Sequence, residues 1–474
     1  MCIRTIFRSA LFLPLLPGFA HSESPPGQTD EAAAPVASET PAPTEPKETE
    51  LLVSFDDTPP EQIPIEKFNQ AIDALTPSTC QPQLQHLFDY LYQVEPTNIL
   101  INDKSAADHL VQRAFHASQN LHNKRRAFYK DGELSEECLN AMRRGDLALR
   151  YLADYVYERI PTLQPWRTES DTKPATFDPS QIRSGDLLVT RATALSSAGI
   201  GHFGLFDTQF SHNAMVYIEP GTQKAYTVEA YLEFGGKVQP LEKFLKKKHL
   251  GRVVVMRPDN PEVAIKGLSQ AFTRIKKGKN IPYDEAFDDQ DHTELFCSEI
   301  AQWVYDLAGD GGAYPLYKSV LSSDERPLFD TLNIQRGDLS APSDFLIDPQ
   351  FQMVAEWRDI QQLAKMRRHD AVVERLLRWH QQGEAEIKAT PGEARFVKFG
   401  RSLRRVPLLG LLLKNKVHPK GDLDFMIPSY AMLNIATDVD EALLELLAGK
   451  QEVSFRELHA LTDTLKSAAQ RNTE

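Results

Sequence analysis

The sequence lacks an excess of positive charge: 53 lysines and arginines stand against 66 acidic residues, which gives a formal net charge of -13. Nucleic-acid binding depends on a basic surface, so we expect no nucleic-acid partner. Long apolar runs are also missing after residue 20, and a membrane-spanning helix needs about 20 consecutive apolar residues. With 41% hydrophobic and 25% charged residues, the composition is typical of a globular protein.

Cysteine is scarce too, and the first of the four cysteines, Cys2, lies in an unusual N-terminal segment. There Arg4 and Arg8 precede a short apolar run, and Gly18-Phe19-Ala20 offers a small-residue cleavage site. This pattern predicts a signal peptide over residues 1–20 and an exported protein, located in the bacterial periplasm. An uncleaved N-terminal anchor is the alternative.

Three cysteines remain after such a cleavage: Cys80, Cys138 and Cys297. An odd number in an oxidising compartment leaves at least one free thiol. Cys80 and Cys138 both lie in the N-terminal half and are a candidate disulfide, which would leave Cys297 unpaired. The alternative is that all three are free and two of them simply fill a core.

The composition and the apolar pattern of the sequence change along the chain. Residues 21–60 carry eight prolines and nine acids against one base, which predicts a disordered acidic linker. Apolar residues then recur with helical period, for example over Leu139–Ile160 and Lys104–Tyr129. We therefore predict a helical N-terminal region at 61–170, an α+β domain at 178–357 and a helical C-terminal region at 358–474.

Short β-rich runs separated by turn residues define the predicted α+β domain. The expected strands are Asp186–Thr190, Ala214–Ile218, Ala225–Ala230 and Gly251–Met256, and the expected helices are Pro261–Lys276 and Phe296–Leu307. In the C-terminal region, Trp357–Gln382 is amphipathic. Pro407–Leu413 is apolar between basic residues and could contact a membrane surface, although at this length a buried helix is favoured.

Cys297 is the first candidate for chemistry. Phe296, Ile300, Val304 and Leu307 share one helical face, which places Cys297 in the first turn of the predicted helix. The positive end of a helix dipole stabilises a thiolate and lowers the cysteine pKa. Backbone N–H groups at the same end can bind a developing oxyanion. These properties suit a nucleophile in acyl transfer.

A cysteine nucleophile needs a histidine base, and that histidine needs an orienting acceptor. His212 precedes one predicted strand, and Glu229 lies near the end of the next. If Glu219–Thr222 forms a four-residue hairpin loop, Ile218 faces Gln223 and His212 faces Glu229, within reach of an imidazole–carboxylate hydrogen bond. A slip of one residue would remove Glu229 from that position.

Other residues compete for these roles. His202 follows a glycine in a Gly-rich loop, and His292 lies five residues before the candidate nucleophile. The rival carboxylates are Glu233, Asp284 and Glu299. The remaining histidines and cysteines show no zinc-ligand spacing, so we expect no metal and no cofactor.

Six motifs in order resemble the permuted papain-like cysteine hydrolases of the NlpC/p60 superfamily, of the YiiX/YebB-like kind and related to the lecithin:retinol acyltransferase type. The motifs are Arg183-Ser184-Gly185-Asp186-Leu187-Leu188, Ser211-His212-Asn213-Ala214-Met215-Val216, Val228-Glu229-Ala230, Gly278 to Tyr283-Asp284 and Phe287, Phe296-Cys297-Ser298-Glu299-Ile300, and Ala341-Pro342-Ser343-Asp344. The resemblance covers about residues 178–357. The long stretch Arg191–Phe210 departs from it and is either a lid or a solvated insertion.

The resemblance implies a circularly permuted papain-like α+β domain, with an antiparallel sheet and packed helices between the two helical regions. It implies Cys297 as nucleophile, His212 as base and Glu229 as orienting residue. In the same motifs, Ser298 and Tyr283 are candidates for substrate or oxyanion binding. The flanking helical regions fall outside the resemblance, so it assigns them no role.

Three functions remain open on the sequence. The first is an exported cysteine amidase or peptidase that acts through an acyl-enzyme. The second is a lipid acyltransferase or thioesterase with the same triad, and the third is a non-catalytic module that binds lipid or peptide. The expected partners are accordingly a cell-wall peptide, or a lipid or acylated small molecule, with a peripheral membrane contact as an option.

Overall fold

A seven-stranded sheet is the central element of the computed structural model. The structure describes residues 51–168, 181–202, 209–232, 235–278, 281–309, 319–320, 326–404 and 422–470, apart from 56, 59–61, 97, 98, 100, 102, 335, 336 and 451. These residues belong to one unit, Thr49–Glu474. The predicted signal peptide, most of the predicted linker, Pro407–Leu413 and Glu233 lie outside the described residues.

All neighbouring strands of the sheet are antiparallel. The strands are β1 (Trp166–Thr168), β2 (Leu187–Ala192), β3 (His212–Ile218), β4 (Ala225–Tyr231), β5 (Gly235–Pro240), β6 (Leu250–Pro258) and β9 (Phe351–Arg358), in the order β1-β9-β6-β2-β3-β4-β5. Two further short strands, β7 (Ser319–Val320) and β8 (Asp338–Leu339), pair with each other.

Helices flank the sheet, and the regions before and after it in the described chain are mainly helical. They are α1 (Ile65–Asp73), α2 (Cys80–Gln93), α3 (Lys104–Lys130), α4 (Glu136–Arg159), α5 (Leu195–Gly201), α6 (Leu241–Leu245), α7 (Pro261–Lys276), α8 (Glu299–Ala308), α9 (Arg326–Thr331), α10 (Leu363–Gln381), α11 (Pro391–Arg404), α12 (Leu423–Leu446), α13 (Phe455–Asp463) and α14 (Lys466–Ala469). This combination confirms the predicted α+β class. No described helix is long and apolar enough to span a membrane.

The two outer strands at one edge of the sheet differ from the sequence prediction. Strand β1 comes from the predicted helical N-terminal region and pairs with β9. The helix predicted to begin at Trp357 begins at Leu363 instead. The physical reason is that Trp357 and Arg358 complete β9, where they pair with Val253 and Arg252 of β6.

The hairpin of β3 and β4 is present, but its predicted register is wrong by two residues. Ala214 rather than His212 pairs with Glu229, and Ile218 pairs with Ala225. The turn lies one residue later than predicted, because the N–H of Glu219 donates to Lys224 O at 2.9 Å and Gln223, inside the turn, takes a positive φ of 55°. Since strand side chains alternate with a period of two, this shift keeps His212 and Glu229 on the same face.

Buried ion pairs join α4 to the sheet. Asp154 accepts hydrogen bonds from Arg252 at 2.8 and 2.9 Å and from Arg358 at 3.1 Å. Arg150, also on α4, donates to Glu356. All five side chains are at most 3% exposed. Because an unpaired charge in such a place would be costly, these contacts fix the position of the N-terminal helices on the sheet.

A disulfide links the two helices at the start of the chain: Cys80 begins α2, Cys138 lies in the first turn of α4, and their sulfur atoms are 2.01 Å apart. The side chain of Ser135 caps α4 by accepting from the N–H of Cys138 at 3.1 Å. The third described cysteine, Cys297, is a free thiol.

The C-terminal helices pack against the segment that carries Cys297. Phe425 of α12 contacts Phe287, with ring centroids 5.9 Å apart, and Phe287 contacts Phe296 at 5.4 Å. These rings belong to a buried apolar cluster that extends into α10 and α12. The C-terminal region therefore supports the residue next to the candidate nucleophile.

Candidate active site

Cys297 lies just before α8 rather than in its first turn. The helix begins at Glu299 with Ser298 as its N-cap residue, so the sequence placed the helix start too early. The physical reason is a turn at Cys297 and Ser298, after which the regular helical hydrogen bonding starts. The thiol is buried, with 5% of the residue exposed, and the N-terminal end of α8 follows it directly.

His212 is the first residue of β3, and its side chain is 15% exposed. Its Nε2 lies 3.0 Å from Oε2 of the fully buried Glu229. With Nε2 engaged in this way, Nδ1 is the ring nitrogen left for the thiol of Cys297. The structure thus brings together all three residues predicted as a triad.

Glu229 is surrounded by donors in the interior of the sheet. Its Oε1 accepts from the hydroxyl of Thr227 at 2.9 Å and from the amide of Gln239. The ammonium of Lys247 lies 3.7 Å from Oε2. A carboxylate that is held on several sides keeps a fixed orientation, which is what an orienting residue for histidine requires.

The pKa values of the three groups favour an ion pair. Burial opposes the charged imidazolium, but Cys297 and Glu229 outweigh it and raise the pKa of His212 to about 9. Against burial, His212 lowers the pKa of Glu229 to about 2. Burial also opposes a thiolate, yet His212, Ser298 and the N–H of Asn213 together lower the pKa of Cys297. These directions describe a thiolate beside an imidazolium.

Two residues that the sequence prediction did not include, Tyr231 and Lys247, also surround the site. The ring of Tyr231 stacks on His212, with centroids 4.7 Å apart and planes at 24°. Lys247 donates to the Tyr231 hydroxyl, and its ammonium lies 4.5 Å from the centre of the same ring. The period of two along β4, from Glu229 to Tyr231, could have indicated Tyr231; no sequence pattern pointed to Lys247.

The two residues predicted to bind substrate or oxyanion both lie beside the thiol. The hydroxyl of Ser298 interacts with the sulfur of Cys297. Burial raises the pKa of Tyr283, and the neighbouring Cys297 raises it further; the phenol interacts with the thiol and with the N–H of Cys297. The backbone holds this arrangement, because the N–H of Leu295 donates to Pro282 O at 2.9 Å.

The competing histidines and carboxylates have other partners. Nδ1 of His202 is 2.8 Å from Ala198 O. His292 is bound between Glu299 and an aspartate of α8. Asp284 accepts from the N–H groups of two residues that follow it. None of these contacts involves the thiol of Cys297, so the geometry favours His212 and Glu229.

No group of three or more histidine, cysteine, aspartate or glutamate side chains is placed to hold a metal ion within the part of the chain that the structure describes. The stretch Arg191–Phe210 departs from the family pattern. In it the structure describes residues up to His202, including the short helix α5, and again from Gln209. Whether that stretch acts as a lid therefore stays a prediction.

Residues 181–355 match the model of a family described as permuted papain-like amidase enzymes, YaeF/YiiX, C92 family. Among solved structures, the crystal structure of metalloprotein yiiX from Escherichia coli O157:H7 is 24% identical and covers 37% of this chain and 97% of its own, with a TM-score of 0.30. No curated protein matches the chain. The family match confirms the resemblance indicated by the ordered motifs: over residues 181–355 the chain carries a domain of the permuted papain-like amidase type, which is a family of enzymes.

Proposed function

We propose that the protein is a cysteine amidase in which Cys297 is the nucleophile, His212 the general base and acid, and Glu229 the orienting carboxylate. The single observation that carries this proposal is the hydrogen bond of 3.0 Å between His212 and the fully buried Glu229, beside a buried thiol whose pKa is lowered by the same histidine. A nucleophile, a base and an orienting group in this order are what acyl transfer requires.

The reaction begins with attack of the Cys297 thiolate on the carbonyl carbon of an amide. The negative charge moves to the carbonyl oxygen, and we assign its stabilisation to the hydroxyl groups of Ser298 and Tyr283, which both interact with the thiol. The imidazolium of His212 then gives its proton to the leaving nitrogen, the C–N bond breaks and an amine departs. A thioester remains on Cys297.

Water completes the cycle. His212, now neutral, accepts a proton from a water molecule as its oxygen attacks the thioester carbonyl. The C–S bond breaks, the carboxylic acid leaves, and the thiolate returns beside the imidazolium. Glu229 keeps the imidazole ring in one orientation and stabilises its charged form in both half-reactions.

The proposal extends to the place of action and the substrate class. The signal-like residues 1–20 and the disulfide between Cys80 and Cys138 support export to an oxidising compartment such as the periplasm, since disulfides are rare in the cytosol. Amides in cell-wall peptides, or in acylated small molecules, are the substrates proposed there.

Hydrolysis of model amides and activated esters tests the function. Cys297→Ala should abolish turnover, and His212→Ala should lower kcat by about 10²–10⁴-fold, the usual contribution of a general base. Added amine acceptors separate the alternatives: acyl transfer to the amine with little free acid would indicate an acyltransferase. Unchanged turnover in Cys297→Ala would refute the proposed nucleophile.

A further inference from the structure

The segment that leads into Cys297 belongs to no strand or helix, yet its backbone is firmly attached. The N–H of Leu295 donates to Pro282 O at 2.9 Å, and the N–H of Asp284 donates to Leu295 O at 3.3 Å. These bonds fix Leu295 beside the segment that carries Tyr283. They do not reach Phe296, the residue directly before the nucleophile, so another contact must hold that peptide.

Glu299 provides that contact. Its Oε2 accepts a hydrogen bond from the N–H of Phe296 at 3.1 Å. Its Oε1 lies 2.6 Å from Nδ1 of His292, and Nε2 of the same imidazole lies 2.6 Å from Oδ2 of Asp306. Both ends of the segment 292–296 are therefore tied to α8: the Glu299 carboxylate binds Phe296 and His292, and the Asp306 carboxylate binds His292 as well.

The contact of Glu299 with His292 and Phe296 is energetically unfavourable in two respects, which indicates a functional role. The Glu299 side chain is completely buried, and burial raises the pKa of its carboxyl to about 7 while His292 opposes that rise. His292 itself adopts a positive φ of 53°, a region that residues other than glycine seldom occupy. An apolar side chain at position 299 would avoid the cost of burying a carboxyl but could not accept from the N–H of Phe296.

We propose that Glu299 is a positioning residue that holds the Cys297 thiol at His212 by binding the backbone N–H of Phe296, and that His292 orients its carboxylate. The role rests on the proposed function of Cys297 as nucleophile. In this proposal Glu299 neither binds the substrate nor contacts the reacting atoms. Its effect passes through one peptide group, because Phe296 and Cys297 are adjacent in the chain.

The expected consequence is a change in rate rather than in substrate binding. A displacement of about 1 Å at a reacting group can cost as much as 10²-fold in rate. Removing the acceptor releases the Phe296 N–H and lets the thiol move away from the imidazole. The rate of thiol alkylation and kcat should therefore fall together, while KM stays nearly constant.

The test compares Glu299→Ala, Glu299→Gln and Asp306→Asn in the full-length protein. Each variant is measured for the second-order rate of iodoacetamide reaction at Cys297, for kcat and KM on a model amide, and for thermal unfolding. Glu299→Ala should react ~10–100-fold more slowly. Glu299→Gln should recover most of the rate, because its carbonyl oxygen still accepts from Phe296. Asp306→Asn, at the partly exposed far end of the contact chain, should stay near wild type.

Wild-type alkylation rates in a folded Glu299→Ala variant would overturn the inference, as would equal losses in Glu299→Ala and Glu299→Gln. If Glu299→Ala does not fold, His292→Gln replaces it and should slow alkylation, with wild-type rates again contradicting the role. Slow alkylation in the wild-type protein itself would instead refute the proposed function of Cys297, so the two failures are distinguishable.

Discussion

Replacing Glu229 by glutamine removes the charge that stabilises the His212 imidazolium and keeps the size of the side chain. The surroundings raise the His212 pKa from 6.5 to about 9, a net stabilisation of ~3 kcal/mol at 1.36 kcal/mol per unit. Cys297 and Glu229 share this effect, so loss of the carboxylate should remove ~1–2 kcal/mol. The His212 pKa should therefore fall, and the Cys297 pKa should rise, because an imidazolium that is less stable stabilises the thiolate less.

The assay is the rate of Cys297 alkylation by iodoacetamide as a function of pH. In the wild-type protein the rate should reach its thiolate plateau at a lower pH than a free thiol does, because His212 lowers the pKa of Cys297. It should change again as pH rises through about 9, where His212 loses its proton. In Glu229→Gln the lower limb of the profile, which follows formation of the thiolate, should move to higher pH. Glu242→Gln, which alters a carboxylate that is 77% exposed, is the control. An unchanged profile in Glu229→Gln would refute the coupled triad.

Three further predictions concern the scaffold. Replacing Cys80 and Cys138 together by alanine should lower the free energy of unfolding by about 2–4 kcal/mol, since the disulfide spans 58 residues; an unchanged denaturation midpoint would contradict this. Asp154→Ala should lower the free energy of unfolding by ~3–5 kcal/mol, because the buried guanidinium groups of Arg252 and Arg358 lose their carboxylate. A loss no larger than that caused by replacing an exposed aspartate would contradict this. Phe425→Ala should slow amide hydrolysis by about 2–10-fold through loss of an aromatic contact. Phe399→Ala, 65% exposed on α11, should not, and equal effects in both would contradict support of the site by α12.

The sequence predicted the elements whose patterns are local. Helix α7 has the predicted bounds, Pro261–Lys276, because a proline starts it and its apolar residues recur with helical period. The predicted strands are found with ends shifted by at most two residues, since strand ends depend on neighbours in the sheet. Trp357 shows the limit: it lies in an amphipathic pattern, but pairing with β6 places it in a strand.

The sequence predicts those features of the candidate site that depend on residue type and on which face of a strand a residue occupies. His212 and Glu229 share a face in any register of the hairpin that differs by two, so the wrong register still paired them. Lys247 and the contact of Glu299 with Phe296 could not be predicted, because each depends on how separate segments pack in three dimensions. His292 competes with His212 for the role of base by its position in the sequence, but its contacts place it on Glu299.

The most direct test of the account is to trap the acyl-enzyme. The protein is mixed with an activated ester of a small carboxylic acid, quenched in acid within one turnover and digested, and the peptide that contains Cys297 is examined by mass spectrometry. We expect the mass of one acyl group on Cys297 in the wild-type protein and no adduct in Cys297→Ala. In His212→Ala the acyl group should persist for longer, because no base activates the water that removes it. Turnover of the ester without any adduct on Cys297, or with the acyl group on another residue, would contradict the proposed mechanism.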